Sequence, residues 1–260
     1  MKLLASFFLL TLTLCFPAFT QDGDAEEWIQ IFNGKDLNDW TAKFAGEDVG
    51  VNYLNTFRVE DGMLRVVYDD WQEWGGKFGH LFYKTPYSNY RIRVEYRFTG
   101  EQVPGAPAWA WRNNGLKLHS QSPESMAFDQ QSPVSTEVQL LGGNGTDARP
   151  TANMCSKGTH VTINGEVYKP HCFQSSSETY HGDQWVTVEV ELRGSEVFKH
   201  YVNGELVLTY SDLEMDMGEE ISRRLVNGFD NLLITGGYIG IQAESHPTDF
   251  RKIEILPLED

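Results

Sequence analysis

The sequence predicts an all-β protein, an antiparallel sandwich of the jelly-roll kind with one polar, concave face. Three observations carry this expectation. Short segments alternate apolar and polar residues with the period of two that a strand imposes. Asp61-Gly62, Asn164-Gly165 and Asn203-Gly204 supply the paired positive-φ residues that tight hairpins need. Helical character is confined to residues 212–229, where it is weak.

The elements follow in order. After a polar linker, residues 28–40 read WIQIFNGKDLNDW, with Ile29 and Ile31 alternating before a turn at Asn33-Gly34 and Trp40 expected against the sandwich. Residues 57–68, FRVEDGMLRVVY, form a hairpin across Asp61-Gly62. Residues 90–98, YRIRVEYRF, set Ile92, Val94 and Tyr96 on one face and Arg91, Arg93, Glu95 and Arg97 on the other. NNGLKLHS and STEVQLLGG follow as strands separated by a polar loop. Residues 161–168 turn at Asn164-Gly165, residues 185–192 and 197–210 make a further hairpin pattern, and residues 236–258 close the chain with two strands around Pro247.

With 260 residues, 40% of them hydrophobic, the chain can bury one sizeable core, and residues 27–258 are read as one domain. The net charge of -16 argues against nucleic acid or an anionic membrane surface as partner, since both would be repelled. Lys2, then an apolar run over residues 3–16 too short to span a bilayer, then Ala18 and Thr20 before Gln21, read as a signal peptide over residues 1–20. The protein is therefore expected to be exported, periplasmic or secreted. A lipoprotein signal at Cys15 is the lesser alternative, because Leu14 is too large for the residue before an acylated Cys. Export leaves Cys155 and Cys172, an even pair that reads as a disulfide. The rival is a Cys/His metal site with His160 and His171, which lacks CxxC spacing.

The polar faces of three strands define the candidate site. In STEVQLL, Val138 and Leu140 oppose Glu137 and Gln139; in NNGLKLHS, Leu116 and Leu118 oppose Lys117 and His119; in YIGIQAESH, Ile239, Ile241 and Ala243 oppose Gln242, Glu244 and His246. If the strands share a sheet, carboxylates, imidazoles and amides converge on one surface. Glu137 and Glu244 could then work as acid and base, or one of them with His119 or His246, whose pKa suits proton transfer near neutrality. The same groups could hold a divalent ion, although taken singly each Glu also reads as a solvated strand-face charge. Arg112 and Arg251 could hold substrate oxygens. Trp71, Trp74, Trp109 and Trp111 lie in loops or at strand ends, where a ring either stacks on a sugar or simply packs. The ExDxxE strand of secreted glucanases is missing, as are GxSxG and HExxH, so a double-displacement glycosidase is not supported.

FNGKDLNDW, FRVEDGML, NNGLKLHS, STEVQLL, HYVNGELV and the closing GGYIGIQAESHPTDFRKIEI, in this order, resemble the bacterial 3-keto-disaccharide hydrolase domain family over residues 27–258. The resemblance implies a concanavalin-A-like sandwich, export, and glycosides oxidised at C3 as substrates, cleaved by C2 deprotonation, elimination and hydration. The alternative is a non-catalytic carbohydrate-binding module on the same groove. The family's ECQ-like strand falls on Glu137 and Gln139, and its NSG-like segment on Asn114 and Gly115, with His119 beyond. Its closing LQ…FRNI pattern falls on Gln242, Phe250 and Arg251. Lys252 replaces the usual Asn, and Ala243-Glu244-Ser245-His246 replaces the usual His after LQ. The expected catalytic set is Glu137, His119, Glu244 and His246. Gln139, Gln242, Arg251, Arg112, Asn114 and Trp111 are the expected substrate-binding residues. No cofactor is certain, and a divalent metal ion stays open.

Overall fold

Residues 27–226 and 231–259 are described by the computed structural model; the expected signal peptide and Cys15 lie outside them. The strands begin with β1 (Ile29–Gln30), β2 (Trp40–Phe44), β3 (Phe57–Glu60), β4 (Met63–Val66), β5 (Gly79–Tyr83) and β6 (Asn89–Phe98). They continue as β7 (Asn113–Ser120), β8 (Ser135–Leu141), β9 (Asn153–Lys157), β10 (Thr159–Ile163), β11 (Glu166–Tyr168) and β12 (Cys172–Phe173). The last are β13 (Val186–Arg193), β14 (Val197–Val202), β15 (Glu205–Met215), β16 (Tyr238–Ala243) and β17 (Thr248–Pro257).

They form two antiparallel sheets. One runs β11-β10-β15-β14-β13-β6-β17-β4-β3, with β1 added against β17; the other runs β12-β9-β8-β7-β16-β5-β2. The period-two pattern decides what lies between them. Ile92, Val94, Tyr96 and Phe98 of β6 pack in one apolar cluster with Leu116 and Leu118 of β7, Val138 and Leu140 of β8 and Ile239 and Ile241 of β16. Most of the polar residues alternating with them face away from the core; His119 of β7 does not.

The three expected turns are present. Asp61-Gly62 has φ values of 52° and 75°, Asn164-Gly165 of 53° and 81°, and Asn203-Gly204 of 49° and 88°, the paired left-handed backbone of a two-residue hairpin. Trp40 is buried and donates from Nε1 to the Ile31 carbonyl at 3.1 Å. The helical reading of residues 212–229 is corrected. β15 continues to Met215, where Leu213 is wholly buried, and among the described residues of this stretch only Glu220–Arg223 is helical. Cys155 and Cys172 are directly paired across β9 and β12 and form the disulfide.

Candidate functional site

Strand register builds the site on the outer face of the seven-stranded sheet. Lys117 of β7 lies directly opposite Glu137 of β8, which lies opposite Cys155 of β9. In the adjoining row, Lys43 pairs with His80, His80 with Gln242, and Gly115 with Gln139. A cavity of about 300 Å³ sits over this surface, lined by Lys117, Glu137, Gln242 and Glu244, with Phe78 and Trp109 at its wall.

Glu137 is the central group. Its Oε2 accepts a hydrogen bond from the Lys117 ammonium, and its other oxygen leans across β7 over Gly115. Any side chain at Gly115 would put Cβ 2.3 Å from Glu137 Oε1, so glycine is what lets this carboxylate cross the strand. Beyond Gly115, Gln242 donates from Nε2 to Glu244 Oε1 at 3.2 Å. Gln242 is 3% exposed, and its Oε1, sealed from solvent, has no partner among the described residues.

The two carboxyls differ in state. Burial first, and the charge of Glu137 second, push Glu244 up to about 8, against the pull of Lys117 and Arg149. Glu244 therefore favours its protonated form at neutral pH, and Glu137 is bonded to the Lys117 ammonium. Arg149 is fixed by the carbonyls of Gly142, Arg112 and Trp109, bracing the Trp109 loop beside Glu244. Trp109 is 54% exposed and stacks on Phe78, ring centroids 6.5 Å apart at 14°, with Trp74 edge-on to both. It presents a flat apolar face at the mouth.

The expected convergence is partly realised. Glu137, Glu244 and Gln242 meet in the cavity. Gln139 shares their face but accepts from Asn153 Nδ2 at 3.0 Å, outside the cavity lining. His119 does not join them. A bulge inserts one residue in β7, so that Lys117 pairs with Gly240 and Ser120 with Tyr238, and His119 sits at φ 46°. Its ring turns into the core, 5.8 Å from Tyr90 and 5.5 Å from Phe198, with Nε2 3.2 Å from the Ser88 carbonyl. Burial pushes it down to about 4, so it is neutral.

His246 is also displaced, because Ser245 adopts φ 96° and turns the chain after Glu244. Its ring lies 5.7 Å from both Phe98 and Trp111, and burial with nearby Arg112 and Arg149 pushes it down to about 4. Asn114 faces the core side, donating to the Gln242 carbonyl at 2.8 Å. Arg112 is taken by the Gly182 carbonyl and Asp183, with Trp111 beside it. Arg251 is on the solvent face of the other sheet, paired with Glu95 and stacked 4.4 Å from Trp185. Trp71 is a core residue packed on Tyr53 and Tyr68.

Two residues outside the expected set stand at the centre. Lys117 alternates with Leu116 and Leu118, so its face was legible, but a lysine on a strand ordinarily means a solvated charge. His80 is wholly buried between Lys43 and Lys117, with neither ring nitrogen bonded, and desolvation holds it well below its ordinary value. Larger hollows of about 500 and 670 Å³ elsewhere have only exposed carboxylates: Asp69 and Glu101, and Glu196 and Asp212.

The cavity's donors do not suit calcium, which takes six to eight oxygens, several of them from carboxylates. Glu137 is already bonded to an ammonium, and Glu244 is the one other carboxyl in the lining. Among the described residues the one grouping of three metal-ligating side chains is Cys155, His171 and Cys172, and its two sulfurs are joined to each other.

Residues 27–256 match the family described as the 3-keto-alpha-glucoside-1,2-lyase-like domain. A Parabacteroides distasonis protein named provisionally as a glycosyl hydrolase superposes with a TM-score of 0.55 at 18% identity, covering 92% of this chain and 98% of that one. A Bacillus subtilis protein with a galectin-like fold gives 0.54 at 12% identity, covering 89% and 94%. The exoplasmic/lumenal domain of VIP36, in a form binding Ca²⁺ and Man3GlcNAc, gives 0.50 at 10% identity, covering 89% of each chain. At these identities the likeness is one of fold. No curated protein matches the sequence.

Proposed function

Because this chain belongs to the 3-keto-alpha-glucoside-1,2-lyase-like family, we propose that it is an exported carbohydrate-active enzyme cleaving glycosides oxidised at C3. The observation that carries the reading is the pair of carboxyls in one cavity, Glu137 bonded to the Lys117 ammonium and Glu244 pushed by burial toward its protonated form. A ketone at C3 acidifies the proton on C2. Glu137 removes that proton, the electron pair forms the C1–C2 double bond, and the C1–O bond breaks as Glu244 gives its proton to the leaving oxygen. Water then adds across the double bond: Glu244 takes a proton from the water that attacks C1, and Glu137 returns its proton to C2. The sum is hydrolysis, and it needs no carboxylate nucleophile, consistent with the missing ExDxxE pattern.

Trp109 and Phe78 supply a platform for a sugar ring, and Gln242 lines the cavity beside Glu244. Folding over residues 27–258 as one domain, and a disulfide suited to an oxidising compartment, belong to the same reading. The exposed Trp109 also favours a second reading, a binding module without chemistry. Glu137→Gln separates the two. The enzyme reading predicts loss of turnover with ligand binding retained; unchanged turnover would refute the assignment of Glu137. Wild-type protein that binds a 3-keto-disaccharide without cleaving it would leave the module.

A further inference from the structure

We propose that Lys117 is the electrophile of this reaction, its ammonium holding the C3 oxygen as the ketone becomes an enolate. The proposal rests on the keto-glycoside reading and adds to it the one group that reading leaves unassigned.

The chemistry runs along a short line of substrate atoms, O1–C1–C2–C3=O. It needs an acid at O1, a base at the C2 proton and a positive donor at the C3 oxygen. The cavity offers three groups in that order. Glu244 stands at one end beside Gln242, Glu137 lies in the middle across Gly115, and Lys117 is at the other end. The C2 proton and the C3 oxygen sit on neighbouring atoms, so base and electrophile must themselves be neighbours. Lys117 and Glu137 are directly opposed across β7 and β8 and hydrogen-bonded to each other. Gly115 fixes the middle position, because a Cβ there would push Glu137 off the strand it crosses.

Lys117 also has bonding capacity left. An ammonium has three N–H donors, and among the described residues Glu137 is the one partner of its Nζ. At 2% exposure it acts in a water-poor wall, where a fixed charge is worth far more than in solution. A purely structural ion pair would need no cavity beside it, whereas this one lines the wall with Glu244. When Glu137 takes the C2 proton it loses its charge, and the ammonium transfers its partnership from carboxylate to enolate oxygen. Positive charge thus stays matched through the step, with no bond to nitrogen formed.

The test separates deprotonation from cleavage by using a 3-keto sugar analogue with no leaving group at C1, a 1-deoxy-3-keto-glucose. Exchange of its C2 proton for deuterium in D2O is followed by NMR. The wild type should exchange it. Lys117→Met should slow exchange about a thousandfold, the cost of losing one oxyanion donor. Lys117→Cys should be equally slow, and alkylation with 2-bromoethylamine, which rebuilds a lysine-like side chain, should recover most of the rate even if the Met variant folds poorly. A folded Met variant exchanging within threefold of the wild type would overturn the proposal while leaving the keto reading intact. So would an alkylated Cys variant as slow as the unalkylated one. Borohydride trapping of substrate carbon on Lys117 would replace the ammonium by a covalent imine and also overturn it. A wild type that neither exchanges the analogue nor cleaves a 3-keto-glycoside would overturn the underlying reading, and this proposal with it.

Discussion

Glu244→Gln is the substitution that asks most of this account. It keeps the size of the side chain and an oxygen to accept from Gln242, and it removes the transferable proton. A general acid typically contributes roughly a hundredfold to ten-thousandfold. With an alkyl 3-keto-glucoside, whose leaving oxygen must be protonated, the variant should lose activity within that range. With a 4-nitrophenyl 3-keto-glucoside the leaving group departs unprotonated, and the loss should shrink below about tenfold. Wild-type turnover should fall as pH rises through about 8, where Glu244 releases its proton, and the variant should lack that limb.

Stability gives an independent reading of the same group. Its native pKa of about 8 lies above the ordinary 4.5, so the native carboxyl keeps a proton that the unfolded chain releases. Wild-type stability therefore falls as pH rises across that window and levels off above it. At about 1.4 kcal/mol per pH unit the full span approaches a few kcal/mol as an upper bound. The amide has no such dependence, so the melting temperature of Glu244→Gln relative to wild type should climb between pH 5 and pH 9 in thermal melts, by roughly 2–4 °C for each kcal/mol. Equal loss on both substrates, or a melting difference flat with pH, would refute the assignment of Glu244 as the buried acid.

The other predictions are simpler. His119→Gln should lower stability by roughly 1–3 kcal/mol, because a ring packed on Tyr90 and Phe198 is replaced, yet leave kcat per folded molecule within about twofold; a large fall in kcat without destabilisation would return His119 to the catalytic set. Trp109→Ala should raise KM about fivefold and leave kcat and melting temperature nearly unchanged, since the residue is 54% exposed and the lost stacking is worth about 1 kcal/mol. Replacing Cys155 and Cys172 together by Ser opens a link between residues 17 apart in sequence and should cost about 3 kcal/mol in denaturant unfolding.

Much of the fold was legible because its signals are local. The alternation of β6, β7 and β8 and the three glycine turns depend only on near neighbours in the chain, and a strand's faces follow from its period. The candidate site was legible to the same depth: alternation alone set Glu137, Gln242 and Glu244 on polar strand faces, and the strands bring them to one cavity. Alternation failed where the backbone departs from it. The bulge before Ser120 and the turned Ser245 each shift the facing, and both imidazoles, His119 and His246, were lost to it. Neither departure carries a glycine at the residue concerned, so nothing in those residue types announces it. Arg251 failed for another reason. β17 follows β16 closely in sequence but crosses to the other sheet, which no single-strand pattern can reveal. Lys117 was visible on the right face, and only the three-dimensional neighbourhood of Glu137 and Glu244 distinguishes it from a surface charge.

The most direct measurement is product analysis of the purified protein with a 3-keto-disaccharide and with its unoxidised parent, each with and without a chelator. The account predicts cleavage of the keto form alone, at a rate the chelator does not change. Cleavage of the parent at a similar rate would contradict chemistry through the C2 proton, and loss of activity on chelation would contradict an active site whose positive charge is Lys117.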